Sequence, residues 1–141
     1  MDLLSPVLDV FLGKNWFADI DKKELCGICG ISSMSIDHDF GQQFEAYKYM
    51  DDEGKRTMFT AMREPRFREN QGYDEIFKDT PPSIKNIKKG VLPDTFSFYY
   101  ESDTLRVLVA HRKRTLEFRS TLLSFEQLRS VALHFMEKGV L

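Results

Sequence analysis

The sequence has few of the residues that anchor a small secreted or membrane-bound protein. Its 141 residues include two cysteines, Cys26 and Cys29, whereas a secreted disulfide scaffold carries more cysteines, spread along the chain. No apolar run approaches the roughly eighteen residues of a membrane-crossing helix. The first residues lack the basic start and small-residue cleavage site of a signal peptide. These absences predict a cytoplasmic protein that does not act in a membrane, with a secreted or virion-borne protein that uses no signal peptide as the alternative.

Proline and glycine are too scattered to mark a linker. The five prolines and eight glycines form no Gly-rich or Ser-rich stretch, and no internal repeat is present. A chain of this length is the usual size of one domain and buries about two thirds of the surface of its unfolded chain. The sequence therefore predicts one α+β domain over residues 1–141, which needs neither disulfide nor metal to fold.

Capping signals and apolar spacing predict three helices, over residues 5–13, 21–30 and 124–139. The last has the strongest pattern, because Ser124 and Gln127 have capping-box spacing and Gly139 suits a helix end. Its stripe of Phe125, Leu128, Ala132, Phe135 and Met136 recurs at helical spacing. Two short helical turns are expected between these helices, over residues 73–78 and 83–89.

Period-two alternation predicts an antiparallel sheet made of a hairpin and a three-stranded meander. The hairpin covers residues 43–50 and 56–63, with Gly54 in its loop supplying a positive φ. The meander covers residues 96–100, 105–110 and 116–119, joined by two-residue turns at 102–103 and 112–113. In that register Phe96, Phe98, Val107 and Phe118 share one face, and the C-terminal helix is expected to pack across it.

Charge is unevenly distributed along the chain. Residues 1–60 carry eleven acidic and six basic side chains, a net charge of −5, and residues 61–141 carry eleven acidic and fourteen basic, a net charge of +3. Opposite signs in the two halves favour a dipolar surface.

The meander also predicts a basic binding surface. The expected register places Tyr99, Arg106 and Arg119 in one row on the face away from the core, with the two arginines opposed. Like charges opposed across strands are destabilising, so such a row favours an anionic neighbour. The adjoining turn contributes His111, Arg112, Lys113 and Arg114. The patch is extended by Lys85, Lys88 and Lys89, together with Arg63, Arg66 and Arg68. Phosphate, nucleic acid or an acidic protein surface would suit it, and a solvated sheet face is the alternative.

A second predicted binding surface is apolar. Aromatic and methionine side chains fall on both faces of the hairpin, with Tyr47 and Tyr49 among them. If the hairpin lies at the sheet edge, one face is open to a partner protein or to a second copy of the chain. The alternative is that the N-terminal helix covers that face.

Catalytic motifs are scarce. The pair Cys26 and Cys29 has CxxC spacing, but no apolar strand precedes it, as a thioredoxin-type redox helix requires. The three histidines, His38, His111 and His134, belong to no nucleophile elbow, phosphate loop or metal-ligand pair. We therefore expect no catalytic residues, no metal and no cofactor. A small cysteine-dependent enzyme is the least favoured reading.

The predicted order of elements resembles that of the α+β sandwich of small type III secretion chaperones. The shared order is helix, hairpin, irregular middle, three-stranded meander and helix, with no shared sequence motif. The resemblance implies a dimer that holds a segment of another protein. The sequence as a whole favours a non-catalytic protein-binding module, such as an adaptor, inhibitor, immunity protein or secretion chaperone. A nucleic-acid-binding accessory protein that uses the basic sheet face is the alternative.

Overall fold

The computed structural model describes residues 20–40, 45–63 and 72–141, so the expected helix over residues 5–13 lies outside them. The described chain contains seven strands and three helices. The strands are β1 (Met34–Phe40), β2 (Glu45–Asp51), β3 (Arg56–Arg63), β4 (Ile84–Lys89), β5 (Phe96–Ser102), β6 (Leu105–His111) and β7 (Thr115–Ser120). The helices are α1 (Lys22–Cys29), α2 (Tyr73–Ile76) and α3 (Phe125–Glu137). None of these helices is long and apolar enough to cross a membrane.

All seven strands form one antiparallel sheet in the order β1-β2-β3-β7-β6-β5-β4. The fold is therefore broadly α+β, as the sequence predicts. The sheet is wider than a hairpin plus a three-stranded meander, because β1 extends it beyond β2 and β4 extends it beyond β5. Pairing of β3 with β7 joins the two halves of the chain.

The prediction of a helical turn over residues 83–89 is wrong, since this segment is the edge strand β4. Every residue of β4 after Ile84 is exposed, so the strand does not need the alternation of apolar and polar residues by which strands are predicted. A shift in its pairing with β5, between Lys85 and Lys88, interrupts the ladder. Asn86 has a φ of 55° there, which Asn tolerates better than most residues.

The two predicted registers of the meander have different outcomes. Pairing of β5 with β6 is displaced by two residues, with Phe98 opposite Val109, so the face of each side chain is kept. Pairing of β6 with β7 is displaced by one residue, with Leu108 opposite Phe118. The loop between them holds three residues, 112–114, and not two. Because side chains alternate, that one residue moves Phe118 to the other face.

The helix α3 consequently packs on a different face from the predicted one. Its Phe135 ring lies 5.0 Å from the Phe118 ring, and both side chains are fully buried. The main core on this face, which we call the helix face, also includes Tyr99 and Leu108. A smaller apolar cluster covers the opposite face, where Phe98, Val107 and Val109 pack under α2 and its flanking residues. The sheet is thus apolar on both faces of its β5–β6 part.

The predicted helix starts near residues 21 and 124 are confirmed by their caps. The Asp21 carboxylate accepts from the backbone N–H groups of Lys23 and Glu24. Ser124 and Gln127 form a reciprocal capping box. Gly30 ends α1 with a φ of 72°, the left-handed conformation that favours glycine. The helix ends follow from local hydrogen bonding, and this is why sequence spacing finds them.

The β2–β3 turn requires Gly54 for space and not for a positive φ, which falls on Lys55 instead. A Cβ at Gly54 would lie 2.7 Å from Oδ2 of Asp51. That carboxylate accepts from the backbone N–H of Glu53 and from Nη2 of Arg56. Burial of Asp51 opposes its ionisation, but hydrogen bonds from the Gly54 backbone, Arg56 and Glu53 hold its pKa below the usual value.

Substitution of Gly54 by alanine is therefore expected to lower the free energy of unfolding by about 1–2 kcal/mol, because the Asp51 carboxylate must leave its donors. Gly27→Ala is the matched control, since a Cβ at Gly27 meets nothing within 4 Å inside α1. It should raise stability by roughly 0.5–1 kcal/mol through helix propensity. Urea unfolding measures both variants, and equal effects of the two would contradict this account of the turn.

Candidate interaction surface

The predicted row of Tyr99, Arg106 and Arg119 is not formed. Arg106 is opposite Ser120 and Arg119 is opposite Val107, so the two arginines lie on different faces of the sheet. The reason is the same one-residue displacement of β7 that moves Phe118 to the helix face. The prediction that Arg106 and Arg119 oppose each other on a solvent-exposed face is therefore wrong. Each arginine instead contacts its own neighbours on its own face of the sheet.

Tyr99 and Arg106 both have partners on the helix face. Tyr99 is fully buried, its ring lies 4.7 Å from the Phe125 ring, and its hydroxyl donates to the Glu101 carboxylate. Burial and the Glu101 carboxylate raise the pKa of Tyr99 well above its ordinary value. Hydrogen bonds from Tyr99 and Asn86 in turn lower the pKa of Glu101. Arg106 donates from Nη1 to the backbone oxygen of Leu123 at 3.1 Å.

Arg119 lies on the opposite face, beside a buried carboxylate. Its Nε donates to Oε2 of Glu117 at 2.8 Å. The Glu117 side chain is 8% exposed and that of Arg119 is 40% exposed. A buried carboxylate requires a cationic or hydrogen-bonding neighbour. Arg119 therefore stabilises the fold by pairing with Glu117.

Tyr47 and Tyr49 do not form the predicted exposed face, because both side chains are fully buried. The Tyr47 ring stacks on His38 with 4.0 Å between centroids. The Tyr49 ring stacks on Phe59 at 4.4 Å and meets the edge of Phe135 at 5.9 Å. Their positions two residues apart in β2 place both side chains in the core under α3 rather than on a docking surface. The alternative in which the N-terminal helix covers the hairpin falls outside the described residues, and the observed contact with Tyr49 comes from Phe135 of the C-terminal helix.

Five of the other predicted cations lie toward one end of the sheet, whereas Lys85, opposite Glu101, lies toward the other end. Lys89, at the end of β4, is opposite Phe98 on β5, and Phe96 is opposite His111 on β6. The β6–β7 turn leaves the sheet beyond this last pair, about 10 Å across the sheet from β4 and about 10 Å further along it, a separation of roughly 14 Å. We call this group the basic end, and its members are Lys88, Lys89, Arg112, Lys113 and Arg114.

The contacts within the basic end leave its charges accessible. Arg112 and Lys113 are exposed. Lys89 lies 3.5 Å from the exposed Asp74 carboxylate, and an exposed pair of this kind contributes little. Lys88 lies over the Phe125 ring at 5.1 Å. Arg114 differs from them because its Nη1 donates to the backbone oxygen of Val140 at 2.9 Å. Arg112 and Lys113 are thus presented to solvent beside the anchored Arg114, whereas Lys88 and Lys89 project from opposite faces of β4, over Phe125 and toward Asp74.

The chain matches no family model, no curated protein and no solved structure. The resemblance to type III secretion chaperones therefore stays a prediction. The chemistry of the described residues is what bears on function.

Cys26 and Cys29 are buried in the main core, where they pack α1 against the sheet. Burial, together with the nearby Asp52 carboxylate, raises the pKa of Cys26 above its ordinary value. Burial raises the pKa of Cys29 to about 11. A reactive cysteine requires the opposite shift, toward the thiolate at neutral pH. The pair therefore behaves as small core side chains.

We expect iodoacetamide to label Cys29 of the folded chain roughly a hundredfold more slowly at pH 8 than a free cysteine, because only about 0.1% of the thiol is ionised there. The urea-unfolded chain is the control, and it should label at the rate of free cysteine. Mass spectrometry of labelling time courses at several pH values measures both rates. A folded-state rate that titrates near pH 8.5 would contradict the burial argument.

His134 is the buried histidine of α3, and it joins α3 to α1. Its Nε2 accepts a hydrogen bond from the backbone N–H of Asp21, just before α1, at 3.0 Å. Near the opposite end of α1, the Gln127 side chain of α3 donates to the backbone oxygen of Ile28. Nδ1 lies 3.1 Å from Oε2 of Glu24, although the two are not aligned for a hydrogen bond. These contacts give His134 a structural role that its sequence position alone does not indicate.

The oxygens of Glu24 and Glu137 and a ring nitrogen of His134 lie within 4.8 Å of one another, the spacing of a metal site. The ring chemistry argues against coordination. A neutral imidazole whose Nε2 accepts a hydrogen bond carries its proton on Nδ1. A metal ion at Nδ1 would need that lone pair, and one at Nε2 would displace the Asp21 N–H. The cluster therefore serves as the α1–α3 contact.

Proposed function

We propose that this chain is a non-catalytic protein-binding module that takes an acidic segment of a partner protein at the basic end. The carrying observation is that two segments distant in sequence, the end of β4 and the β6–β7 turn, present exposed cations at the same end of the sheet. Positive charge concentrated in this way steers and holds acidic partners. The buried, unpaired thiols of Cys26 and Cys29 suit a reducing compartment, and action in the cytoplasm is part of the same proposal.

Charge, exposure and anchoring support this assignment over the predicted sheet-face row. Arg106 and Arg119 are engaged with Leu123 and Glu117, so moving them toward a ligand would cost existing hydrogen bonds. Arg112 and Lys113 are exposed and tied to a turn whose neighbour Arg114 is anchored on Val140. An anchored turn holds the charges in place, which lowers the entropy lost on binding.

A nucleic-acid ligand is the second candidate, and the exposed Arg112 and Lys113 favour it. Arginine and lysine in a protruding turn neutralise phosphates as readily as carboxylates. The two candidate functions differ in the ligand that is bound and in how its affinity depends on salt. Binding to nucleic-acid phosphates releases condensed counterions, so that affinity falls steeply as the salt concentration rises.

Fluorescence anisotropy with a labelled Glu-rich peptide tests the proposal. The test variant carries Lys88→Glu, Lys89→Glu, Arg112→Glu and Lys113→Glu. The control variant carries the same change at exposed lysines elsewhere, Lys22, Lys23, Lys48 and Lys78. Both take the formal net charge from −2 to −10, since each replacement removes a positive charge and adds a negative one. We expect the test variant to bind about tenfold or more weakly than the control.

Three outcomes would overturn the proposal. One is the absence of peptide binding at low salt. Another is an equal loss in both variants, which would mean that net charge alone attracts the peptide. The third is tighter binding of single-stranded or duplex DNA of matched length, lost in the test variant only, which would favour the nucleic-acid function instead.

A further inference from the structure

The helix α2 depends on the sheet for its position. It is the shortest of the three described helices, with four residues, and none of its residues is buried. Its N-cap residue is Gly72, which has no side chain to cap the first turn. A single helical turn is not stable by itself in water. The contacts of α2 with the sheet therefore decide whether the helix forms and where it lies.

Tyr73 anchors α2 at the point where β4 ends. Its hydroxyl accepts a hydrogen bond from the backbone N–H of Ser97, on β5, at 3.2 Å. The backbone oxygen of Ser97 accepts from Gly90, the residue after β4, at 2.7 Å. The Tyr73 hydroxyl thus takes the place that a carbonyl of a neighbouring strand would fill, and its ring stacks on Phe96 at 4.3 Å. One hydrogen bond and this stacking tie the start of α2 to the sheet.

The anchored helix brings negative charge to the basic end. Asp74 and Glu75 are exposed in the first turn of α2, and Oδ1 of Asp74 lies 3.5 Å from Nζ of Lys89. An acidic ligand that approaches Lys89 therefore meets carboxylates of its own sign. The Asp74–Lys89 pair is exposed and weak, so a ligand can replace it at little cost.

We propose that α2 is a built-in competitor of the acidic partner, which weakens binding at Lys89 while it is docked on the sheet. This inference rests on the function proposed for the basic end, because it concerns the regulation of that same site. The undocked state leaves Lys89 to the ligand and takes the repelling carboxylates away. Since the partner binds that state more tightly, its binding shifts the equilibrium of α2 toward undocking.

The variant Tyr73→Phe tests the proposal without changing the charge. It keeps the ring that stacks on Phe96 but removes the acceptor of the Ser97 N–H, so the docked fraction of α2 falls. We expect the Glu-rich peptide to bind it about two- to threefold more tightly than the original chain, as measured by fluorescence anisotropy. Tyr49→Phe is the matched control, because the Tyr49 hydroxyl is buried on the helix face with no hydrogen-bond partner among the described residues. Equal affinities of the two variants would overturn the proposal.

A second pair of variants tests the charge of α2. The test variant carries Asp74→Asn and Glu75→Gln, and the control carries Asp79→Asn and Glu53→Gln, at exposed acidic residues away from Lys89. Each brings the formal net charge from −2 to 0. We expect the test variant to bind the peptide about threefold more tightly than the control. An equal gain in both variants would mean that net charge alone acts, which would contradict a competitor at Lys89.

Hydrogen exchange measured by NMR on the original chain reports whether α2 leaves the sheet. With bound peptide the amide of Ser97 should exchange about fivefold or more faster, since it loses the Tyr73 hydroxyl. The amide of Leu92 is the control, because it donates to the Ser97 side chain and does not contact α2. Unchanged or slower exchange at Ser97 would overturn the proposal. Absence of peptide binding in every variant would remove the proposed function as well, whereas binding that depends on the basic end but not on α2 would remove only the competitor.

Discussion

Replacement of Phe135 by alanine is expected to lower the free energy of unfolding by about 4 kcal/mol, the cost of a large cavity in a well-packed core. Phe135 is the fully buried centre of α3. Its ring meets those of Phe118, Phe59 and Tyr49, at 5.0, 6.3 and 5.9 Å. These partners come from three strands, β7, β3 and β2, so the substitution disturbs the contact between helix and sheet at its middle.

Phe96→Ala is the matched control for Phe135→Ala, because Phe96 lies on the opposite face and is partly exposed. Its ring stacks on Tyr73 at 4.3 Å, and its loss should cost only about 1–2 kcal/mol. Urea unfolding followed by circular dichroism measures both. The predicted packing of α3 on the Phe96 face would reverse this order. A larger loss for Phe96→Ala than for Phe135→Ala would therefore refute the placement of α3.

Replacement of Arg119 by methionine is expected to cost about 2 kcal/mol of stability, because the mostly buried Glu117 carboxylate loses its cationic partner. The value is smaller than for a fully buried pair, since Arg119 is partly exposed. Glu117→Gln removes the charge that needs compensation. Combining it with Arg119→Met should therefore restore about half or more of the loss, as a double-mutant cycle by urea unfolding would measure.

The same Arg119→Met protein distinguishes a structural arginine from a binding one. The Glu-rich peptide should bind it as tightly as it binds the original chain at a temperature where both are folded. A stability unchanged by Arg119→Met, together with weakened peptide binding, would instead support the sheet-face row that the sequence predicts.

The parts of the fold that the sequence predicts correctly depend on nearby residues. The caps at Asp21 and Ser124 form within three residues of their partners, so spacing reveals them. The strands around Gly54 are found because a polar loop separates two apolar segments. The β6–β7 register is different, since it depends on whether the turn holds two residues or three. Both faces of β6 are buried, so either register gives an apolar face.

Of the two outer strands, β4 has no sequence pattern that separates it from a loop or a helical turn. Residues 84–89 are almost entirely exposed, and three of them are lysines. The strand β1 does alternate, because Met34, Ile36 and Phe40 are separated by the polar residues 35, 37 and 39. That period-two pattern is present in the sequence, although the polar segment 37–39 makes it less apparent than the alternation of β5.

The candidate site was predictable in its residue types but not in its position. The cations of the β6–β7 turn and of residues 88–89 are evident from composition. Their meeting at one end of the sheet depends on β4 being a strand and on its pairing with β5. The predicted partners of these cations, Tyr99, Arg106 and Arg119, fail because a one-residue displacement exchanges the two faces.

The most direct test of the binding proposal is an NMR titration of the labelled chain with the Glu-rich peptide. The account predicts that the largest amide shifts, saturating together, occur at Lys88, Lys89 and residues 112–114. Shifts centred on Tyr99, Arg106 and Arg119, or spread evenly over the surface, would contradict it.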